Sequence, residues 1–206
     1  WRAEHAALRL HARHVIAPSR DVLQRLAHYL PTARYSLVPH MEPGSQHGWP
    51  PPAPRPRAPD APLRIAIIGA LSAIKGADVL EDTALAAQRS GAPVEFHRIG
   101  YGYRALHTQP RARLTVHGRY DDADLPALLD WLQPDLVWFP AQVPESYSYT
   151  LSAALRAGLP VVAPKLGAFA ERLNGRAWSW VEPWDRSAPE WLAFFQQLHQ
   201  QHFIPG

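Results

Sequence analysis

Residues 144–163 read Pro-Glu-Ser-Tyr-Ser-Tyr-Thr-Leu-Ser-Ala-Ala-Leu-Arg-Ala-Gly-Leu-Pro-Val-Val-Ala, and this stretch decides the fold. A turn that holds one carboxylate, Glu145, leads into a short helix; Gly158 and Pro160 end that helix, and an apolar strand follows over 161–163. The N-terminus of a helix attracts anions, because unpaired N–H groups and the positive end of the helix dipole lie there. A carboxylate beside such a terminus suits a ligand that carries both hydroxyls and phosphate, as a sugar nucleotide does.

The same alternation of strand and helix extends along most of the chain. Short apolar runs alternate with segments of helical spacing, which is typical of buried parallel strands joined by helices. The predicted strands are 63–69, 94–99, 114–117, 136–139, 161–163 and 178–181, and the predicted helices are 76–90, 124–131, 148–157, 168–173 and 188–201. The fold class is therefore predicted to be α/β, with a doubly wound parallel sheet.

A proline-rich segment divides the chain. Residues 41–62 contain eight prolines, so they are predicted to be a linker rather than a helix or a central strand. Residues 1–40 form a short α/β piece, and residues 63–206 form the main domain. Within the short piece the predicted helices are 2–12 and 20–30, the second capped by Ser19, and the predicted strands are 15–17 and 35–38.

The composition of the chain limits the classes of protein to which it can belong. The formal net charge is +3, and the basic residues are nearly all scattered arginines, which disfavours a nucleic-acid interface. No apolar run is long enough for a membrane span, and the absence of cysteine fits a reducing, cytoplasmic location. Trp1 is not a natural start, so we expect the chain to be part of a longer protein.

Turns at the carboxyl ends of the predicted strands should line one crevice, since ligands of such sheets bind there. These turns are 69–76, 100–104, 118–121 and 140–149. Gly69 allows a close backbone approach, and Lys75 near the next helix start is either a diphosphate contact or a surface lysine. Glu145 either accepts hydrogen bonds from sugar hydroxyls or only adds negative charge at a helix start. The tyrosines of these turns either flank a base or sugar or serve packing: Tyr101, Tyr103 and Tyr120.

Several other chemistries lack a pattern in the sequence. His5, His11 and His14 cluster near the start, but no further ligand completes a metal set, so no metal is predicted. No Gly-x-Ser-x-Gly hydrolase turn is present. A nicotinamide-dependent dehydrogenase is a poor interpretation, because no Gly-x-Gly-x-x-Gly follows the strand at 63–69.

Taken together, these residues resemble the carboxyl-terminal, donor-binding half of a glycosyltransferase family 4 (group 1) enzyme with a GT-B fold. The resemblance covers most of 63–185 and is strongest from Pro144-Glu145 to Gly158-Leu159-Pro160. Its other motifs are Leu166-Gly167 and Glu171, the Lys75-Gly76 turn, the Gly118-Arg119-Tyr120 turn, and Val15–Ser19 with Val38-Pro39-His40, which resemble the exit from the amino-terminal lobe.

The resemblance implies a retaining transfer from a nucleotide-diphospho-sugar, such as a UDP- or GDP-sugar, to a hydroxyl of a sugar or lipid-linked sugar, for example in polysaccharide biosynthesis. It implies no cofactor and no metal. By position, Lys75 would neutralise the diphosphate and Glu145 would hold the donor sugar, and these two are the expected catalytic residues. The remaining expected donor-binding residues are Gly69, Tyr120, Ser146, Tyr147, Ser148 and Tyr149. Without the missing amino-terminal lobe, the chain alone is expected to be inactive.

Two departures from the family pattern leave an alternative open. The family carries a second glutamate, eight residues after the first, that contacts the ribose, and here that position is Ala153. It also often carries an arginine where this chain has Ala70. A non-catalytic interaction domain descended from a glycosyltransferase is therefore the alternative. The last helix, with Trp191, Phe194 and Phe195, is expected to pack on the missing lobe, with burial in this domain's own core as the other possibility.

Overall fold

The computed structural model describes residue 11 and residues 14–42, 48–105 and 113–204. The amino-terminal piece consists of strand β1 (Val15–Ala17), helix α1 (Arg20–Tyr29) and strand β2 (Tyr35–Leu37). The two strands pair in parallel, and the Ser19 side chain caps α1 by accepting a hydrogen bond from the Val22 amide. The helix predicted over 2–12 lies outside the described residues, apart from residue 11, which is helical.

Six parallel strands form the main sheet. They are β3 (Leu63–Ile68), β4 (Val94–Ile99), β5 (Leu114–Gly118), β6 (Leu136–Trp138), β7 (Val161–Pro164) and β8 (Ser179–Glu182), and their spatial order is β5-β4-β3-β6-β7-β8. From β3, strands β4 and β5 are added on one side and strands β6, β7 and β8 on the other. The switch point of this doubly wound sheet therefore lies between β3 and β6. The predicted fold class is confirmed.

Helices cover both faces of this sheet. They are α2 (Ala77–Ser90), α3 (Leu125–Leu132), α4 (Tyr149–Arg156), α5 (Ala168–Leu173) and α6 (Ala188–Leu198), with a short 3₁₀ turn over Ala73–Lys75 and a π-helical turn over His199–Phe203. Alternate residues of β3 enter different cores: Ile65 and Ile67 pack with α2 and α6, whereas Ala66 and Ile68 pack with α3, α4 and α5. Both faces of β3 are therefore buried, which explains its continuous apolar sequence.

Helix α6 corrects one expectation from the sequence. Two of its aromatic residues, Trp191 and Phe195, are buried in the core of this domain itself, where they are 1% and 0% exposed. Both rings lie against Trp138 of β6, with centroids 5.1 and 5.0 Å away. The expectation that this helix packs on the missing lobe is wrong for these two residues, since a large aromatic cluster on the sheet face already covers them.

The proline-rich segment follows the surface of the main domain. Over residues 48–62 the described backbone forms neither helix nor strand. It is held by hydrogen bonds from the Ala53 amide to the Gly158 carbonyl (2.9 Å) and from the Arg57 amide to the Phe203 carbonyl (2.6 Å). The Arg57 guanidinium also pairs with the buried Asp135 at 2.6 Å. Among the described helices, none combines the length and the apolar character needed to cross a bilayer.

Acid is expected to destabilise this domain through three neighbouring ionisable side chains, Glu95 and His97 on β4 and His117 on β5. The His97 ring, with help from Arg64, lowers the pKa of Glu95 to about 2 from 4.5, and burial followed by the His97 charge lowers the pKa of His117 below 6.5. Both groups bind protons more readily in the unfolded chain than in the folded one. Their contribution to the stability of the folded state is therefore complete above about pH 6.5 for His117 and above about pH 4.5 for Glu95. Each contribution is lost as the pH falls below that value. Urea unfolding measured from pH 8 to pH 4 should show a falling free energy. The decline between pH 7 and pH 5 should be shallower in His117→Gln; an unchanged slope would contradict this account.

Candidate functional site

A cleft of about 360 Å³ opens above the carboxyl ends of β3 and β6, at the switch point of the sheet. The turn after β3 and the turn after β6 supply most of its lining. Neighbouring strands at a switch point send their connections to opposite faces, so a crevice forms between the two turns. The topology therefore brings together two segments that are about 70 residues apart in the chain.

The turn after β3 approaches its neighbours closely at two glycines. Gly69 has a φ of 103°, and a Cβ there would lie 3.0 Å from the methyl of Thr150 at the start of α4. Gly76 has a φ of 88°, and a Cβ there would overlap the carbonyl oxygen of Pro140 and lie 2.6 Å from its carbon. Lys75 is the last residue of the 3₁₀ turn before Gly76. The absence of these two side chains lets the lysine turn pack directly on the turn that follows β6.

The turn after β6 is fixed from behind by the start of α5. The Ala168 amide donates to the Glu145 carbonyl at 2.8 Å. Gly167 has a φ of 55°, and a Cβ there would lie 2.5 Å from the Glu145 nitrogen. The Leu166-Gly167 motif of the sequence thus sets the backbone position of Glu145. Glu171 lies outside the cleft, where its carboxylate accepts the backbone N–H of Arg20 at 2.9 and 3.1 Å.

Lys75 and Glu145 form an ion pair inside the cleft. Their side chains are 39% and 16% exposed, so the carboxylate is the more enclosed partner. Partial burial lowers the pKa of the Lys75 ammonium. The pair places one cation and one hydrogen-bond acceptor side by side, and both remain accessible from the cleft.

The start of α4 adds backbone donors next to this pair. Ser148 precedes the helix at a φ of 72°, and its hydroxyl accepts from the Leu151 amide at 3.3 Å. The first amides of a helix have no partner within the helix, and the residues that carry them here, Tyr149 and Thr150, line the cleft. A positive φ costs free energy in a residue with a side chain, so this turn needs support from its surroundings.

Arg172 of α5 provides that support. One guanidinium nitrogen donates to the carbonyls of Tyr147 and Ser148, each at 2.8 Å, and the other donates to Ser152 at 2.7 Å. The guanidinium also lies 4.0 Å from the Tyr147 ring centroid. Reasoning from the sequence missed Arg172, because a single arginine in a short helix carries no signal of what it contacts.

The segment that precedes the proline-rich linker also reaches this site. The His40 ring lies against Tyr149 at 5.5 Å and edge-on to Tyr147 at 4.8 Å, and the Tyr147 hydroxyl donates to the His40 carbonyl at 3.2 Å. Glu42 accepts from Ser152 and, at 3.2 Å, from Arg156. Burial, followed by the Glu42 carboxylate, raises the pKa of the Tyr147 phenol. His40 lines the cleft, a placement that the sequence did not predict.

The other predicted donor-binding residues divide between the cleft and its neighbours. The cleft is lined by Gly69, Ser146, Tyr147, Ser148 and Tyr149 together with the ion pair. Tyr120 lies instead in two adjoining cavities of about 520 Å³ each. One of them contains Ala153, the position where the resemblance implies a carboxylate, and the carboxylates that line this cavity are Glu42, Asp122 and Asp130. In the part of the chain that the structure describes, no three His, Asp or Glu side chains gather as a metal site would require.

Comparison with known proteins identifies related sequences and folds. The sequence profile of the family described as "Glycosyl transferases group 1" matches residues 62–199. Anabaena HepE, solved in complex with UDP and glucose, superposes with a TM-score of 0.66 at 18% identity, over 97% of this chain and 57% of HepE. The lipopolysaccharide outer core galactosyltransferase WaaB gives 0.68 at 15% identity, over 97% and 56% of the two chains.

The sucrose-phosphate synthase of Thermosynechococcus elongatus also gives 0.68 at 15% identity, over 96% of this chain and 51% of the synthase. The chain thus spans little more than half the length of these three structures. A search against curated protein sequences gave no match.

Proposed function

The chain belongs to the group 1 glycosyl transferases, and from this premise we propose that it binds a nucleotide-diphospho-sugar for retaining transfer of the sugar to a hydroxyl acceptor. The observation that carries the proposal is the Lys75–Glu145 ion pair in the cleft beside the start of α4. A donor of this class presents a dianionic diphosphate next to a ring of hydroxyls. The cleft offers the Lys75 ammonium and the first amides of α4 to the diphosphate, and the Glu145 carboxylate to the hydroxyls.

The diphosphate occupies the side of the cleft formed by Lys75 and the first amides of α4. Its negative charge attracts the Lys75 ammonium, which otherwise pairs with Glu145. As the bond between the anomeric carbon and the phosphate oxygen breaks, negative charge grows on the departing nucleoside diphosphate. Lys75 and the start of α4 therefore stabilise the transition state more than the bound donor, which is the condition for catalysis.

Glu145 accepts hydrogen bonds from hydroxyls of the donor sugar. Its backbone is fixed by Ala168 and Gly167, so the carboxylate meets the sugar in a defined position. UDP- and GDP-sugars are both candidate donors, and a sugar or a lipid-linked sugar is the candidate acceptor. We expect the 206-residue chain alone to transfer no sugar, because acceptor-binding groups come from the amino-terminal lobe across the cleft.

Titration of the chain with UDP, GDP and their glucose-linked forms by calorimetry tests this proposal. Glu145→Gln is expected to act in opposite directions on the two classes of ligand. UDP or GDP should bind more tightly, because the variant removes a negative charge beside the phosphates and releases Lys75. The sugar-linked form should lose an acceptor of charge-assisted hydrogen bonds, so its advantage over the free diphosphate should fall by about 10-fold.

Asp82→Asn is the control for this titration, because it removes an exposed carboxylate of α2 that does not line the cleft. It should leave both affinities within about twofold. Failure of the unmodified chain to bind any of these ligands at millimolar concentration would overturn the proposal. Equal effects of Glu145→Gln on both classes would overturn the role given to its carboxylate.

A second candidate function, a non-catalytic interaction domain, is favoured by Ala70 and Ala153. Both line cavities around the site, and each contributes only a methyl group. This function would require the full-length protein to keep its biological activity in Lys75→Ala and Glu145→Ala. A large loss of activity in either variant, with unchanged expression and melting temperature, would exclude it.

A further inference from the structure

We propose that Arg119, lying over the ring of Tyr101, is the second cation of the donor site and binds the nucleoside side of the diphosphate. The inference rests on the proposed function and adds a residue to it. A cavity of about 520 Å³ adjoins the cleft and shares Gly69, Ala70 and Thr150 with it. Arg119 lines this cavity, whereas Lys75 lines the cleft. The two cations therefore flank the turn after β3 from opposite sides.

The position of Arg119 is set by the same turn that forms the cleft. Its guanidinium carbon lies 4.3 Å from the Tyr101 ring centroid. The Tyr101 carbonyl in turn accepts the Leu71 amide at 2.8 Å, and Leu71 forms a bridge with Gly102. A guanidinium over an aromatic face keeps its N–H groups at its edge, where they can form two parallel hydrogen bonds to a phosphate.

Two other arginines near this edge of the sheet do not line the cavity. Arg104 pairs with Glu81 at 2.6 Å and with Asp78. Arg98 is only 6% exposed, and its guanidinium lies under Gly102, where a Cβ would be 2.8 Å from it. Arg119 forms no ion pair within the part of the chain that the structure describes, although Asp121, Asp122 and Asp124 line the same cavity. Its contact with a ring rather than a carboxylate leaves its charge available to an anion.

The three aspartates restrict where the phosphates can lie. Negative charge is disfavoured beside them, so we expect the diphosphate to lie closer to Gly69, Ala70 and Arg119 than to the aspartates. The aspartates suit the other part of a nucleotide, because carboxylates accept hydrogen bonds from ribose hydroxyls and from base N–H groups. Burial, followed by the Asp122 carboxylate, raises the pKa of the Tyr120 phenol.

Ala70 explains why a second cation must come from another loop. The backbone of Gly69 and Ala70 lines both the cleft and the cavity, so a diphosphate that joins a sugar in one to a nucleoside in the other passes over it. Ala70 brings no charge to that crossing point. Lys75 is shared with Glu145 and lies on the cleft side, so the phosphate nearer the nucleoside has Arg119 as its cation.

Calorimetric titration of the 206-residue chain tests the inference, using whichever of UDP and GDP binds the unmodified chain more tightly, together with the matching nucleoside monophosphate. Arg119→Gln should weaken diphosphate binding by about 10- to 30-fold and should also weaken monophosphate binding, because it removes a charge-assisted contact to the phosphate that both share. Arg119→Lys should recover part of the loss, since it keeps the charge but not the paired geometry.

Arg89→Gln is the matched control. It makes the same change of charge at the exposed last turn of α2, about 20 Å along the helix from the cleft. It should change affinity less than twofold. If Arg119→Gln binds as the unmodified chain does while Lys75→Met is weakened, the inference is wrong and the proposed function stands. If the unmodified chain binds no nucleotide, both fail. Because Arg119 and Arg89 are exposed, thermal melting should be unchanged in the variants at these two positions.

Discussion

Replacing Lys75 with methionine is expected to weaken UDP or GDP binding by about 30- to 100-fold, the largest binding effect of any single substitution in the cleft. Methionine keeps the length of the side chain and removes its charge. The variant loses the ammonium that neutralises the diphosphate. It also leaves the Glu145 carboxylate without its Lys75 partner at the place where phosphate must enter, so repulsion is added to the lost attraction.

Lys165→Met is the control for this measurement, because Lys165 is the only other lysine in the sequence and its side chain is exposed. Calorimetry should show no more than a twofold change in that variant. The double variant Lys75→Met with Glu145→Gln should bind more tightly than Lys75→Met alone, since the unpaired carboxylate is gone. Binding by Lys75→Met within twofold of the unmodified chain would contradict the assignment of this lysine to the phosphates.

Gly76→Ala is expected to reduce the free energy of unfolding by at least about 3 kcal/mol, the largest stability effect of a single methyl group among the cleft turns. Its backbone has a φ of 88°, which an alanine adopts only with strain. Its Cβ would overlap the Pro140 carbonyl oxygen and lie 2.7 Å from the Pro140 Cβ. Neither atom belongs to a flexible side chain, so one of the two turns must move.

Urea unfolding of Gly175→Ala provides the comparison. Gly175 also has a positive φ, 72°, but a Cβ there would meet no atom within 4 Å. That variant isolates the backbone term, which is about 1 kcal/mol. A Gly76→Ala variant that loses no more stability than Gly175→Ala would show that the two turns can separate freely. In that case the close packing of the lysine turn on the Pro140 turn would not be what positions Lys75.

Much of the fold could be predicted from local chemistry in the sequence. The strand predicted at 94–99 and the helix predicted at 168–173 match the described elements residue for residue. The glycines predicted to end helices do so, as at Gly91, which follows α2 with a φ of 67°. These signals are local because each depends on residues within one turn of helix or one strand.

The placement of α6 could not be predicted in the same way. An amphipathic helix with three aromatic residues must be covered, but its sequence does not state which surface covers it. The answer lies in Trp138 and Phe96 on strands far earlier in the chain, and in the strand order that makes those strands neighbours. Burial of Trp191 and Phe195 is therefore a property of the topology rather than of the helix.

The candidate site shows the same difference between local and distant signals. The turns that carry Lys75 and Glu145 could be predicted from the sequence, and the structure brings the two side chains into contact. Their catalytic roles stay a prediction. The residues that hold the site from a distance were not readable. Arg172 and His40 act through contacts with segments up to about 107 residues away, and no local pattern encodes such partners.

The contact of His40 with Tyr147 and Tyr149 has a mechanical consequence. Residues 14–40 cannot swing about the following segment without separating these rings and breaking the bond from the Tyr147 hydroxyl. The same two tyrosines flank Ser148, the residue that precedes the first backbone amides of α4. A nucleotide that orders this turn must therefore restrict the swing, and by thermodynamic reciprocity a fixed angle between the two parts of the chain must tighten nucleotide binding by the same factor.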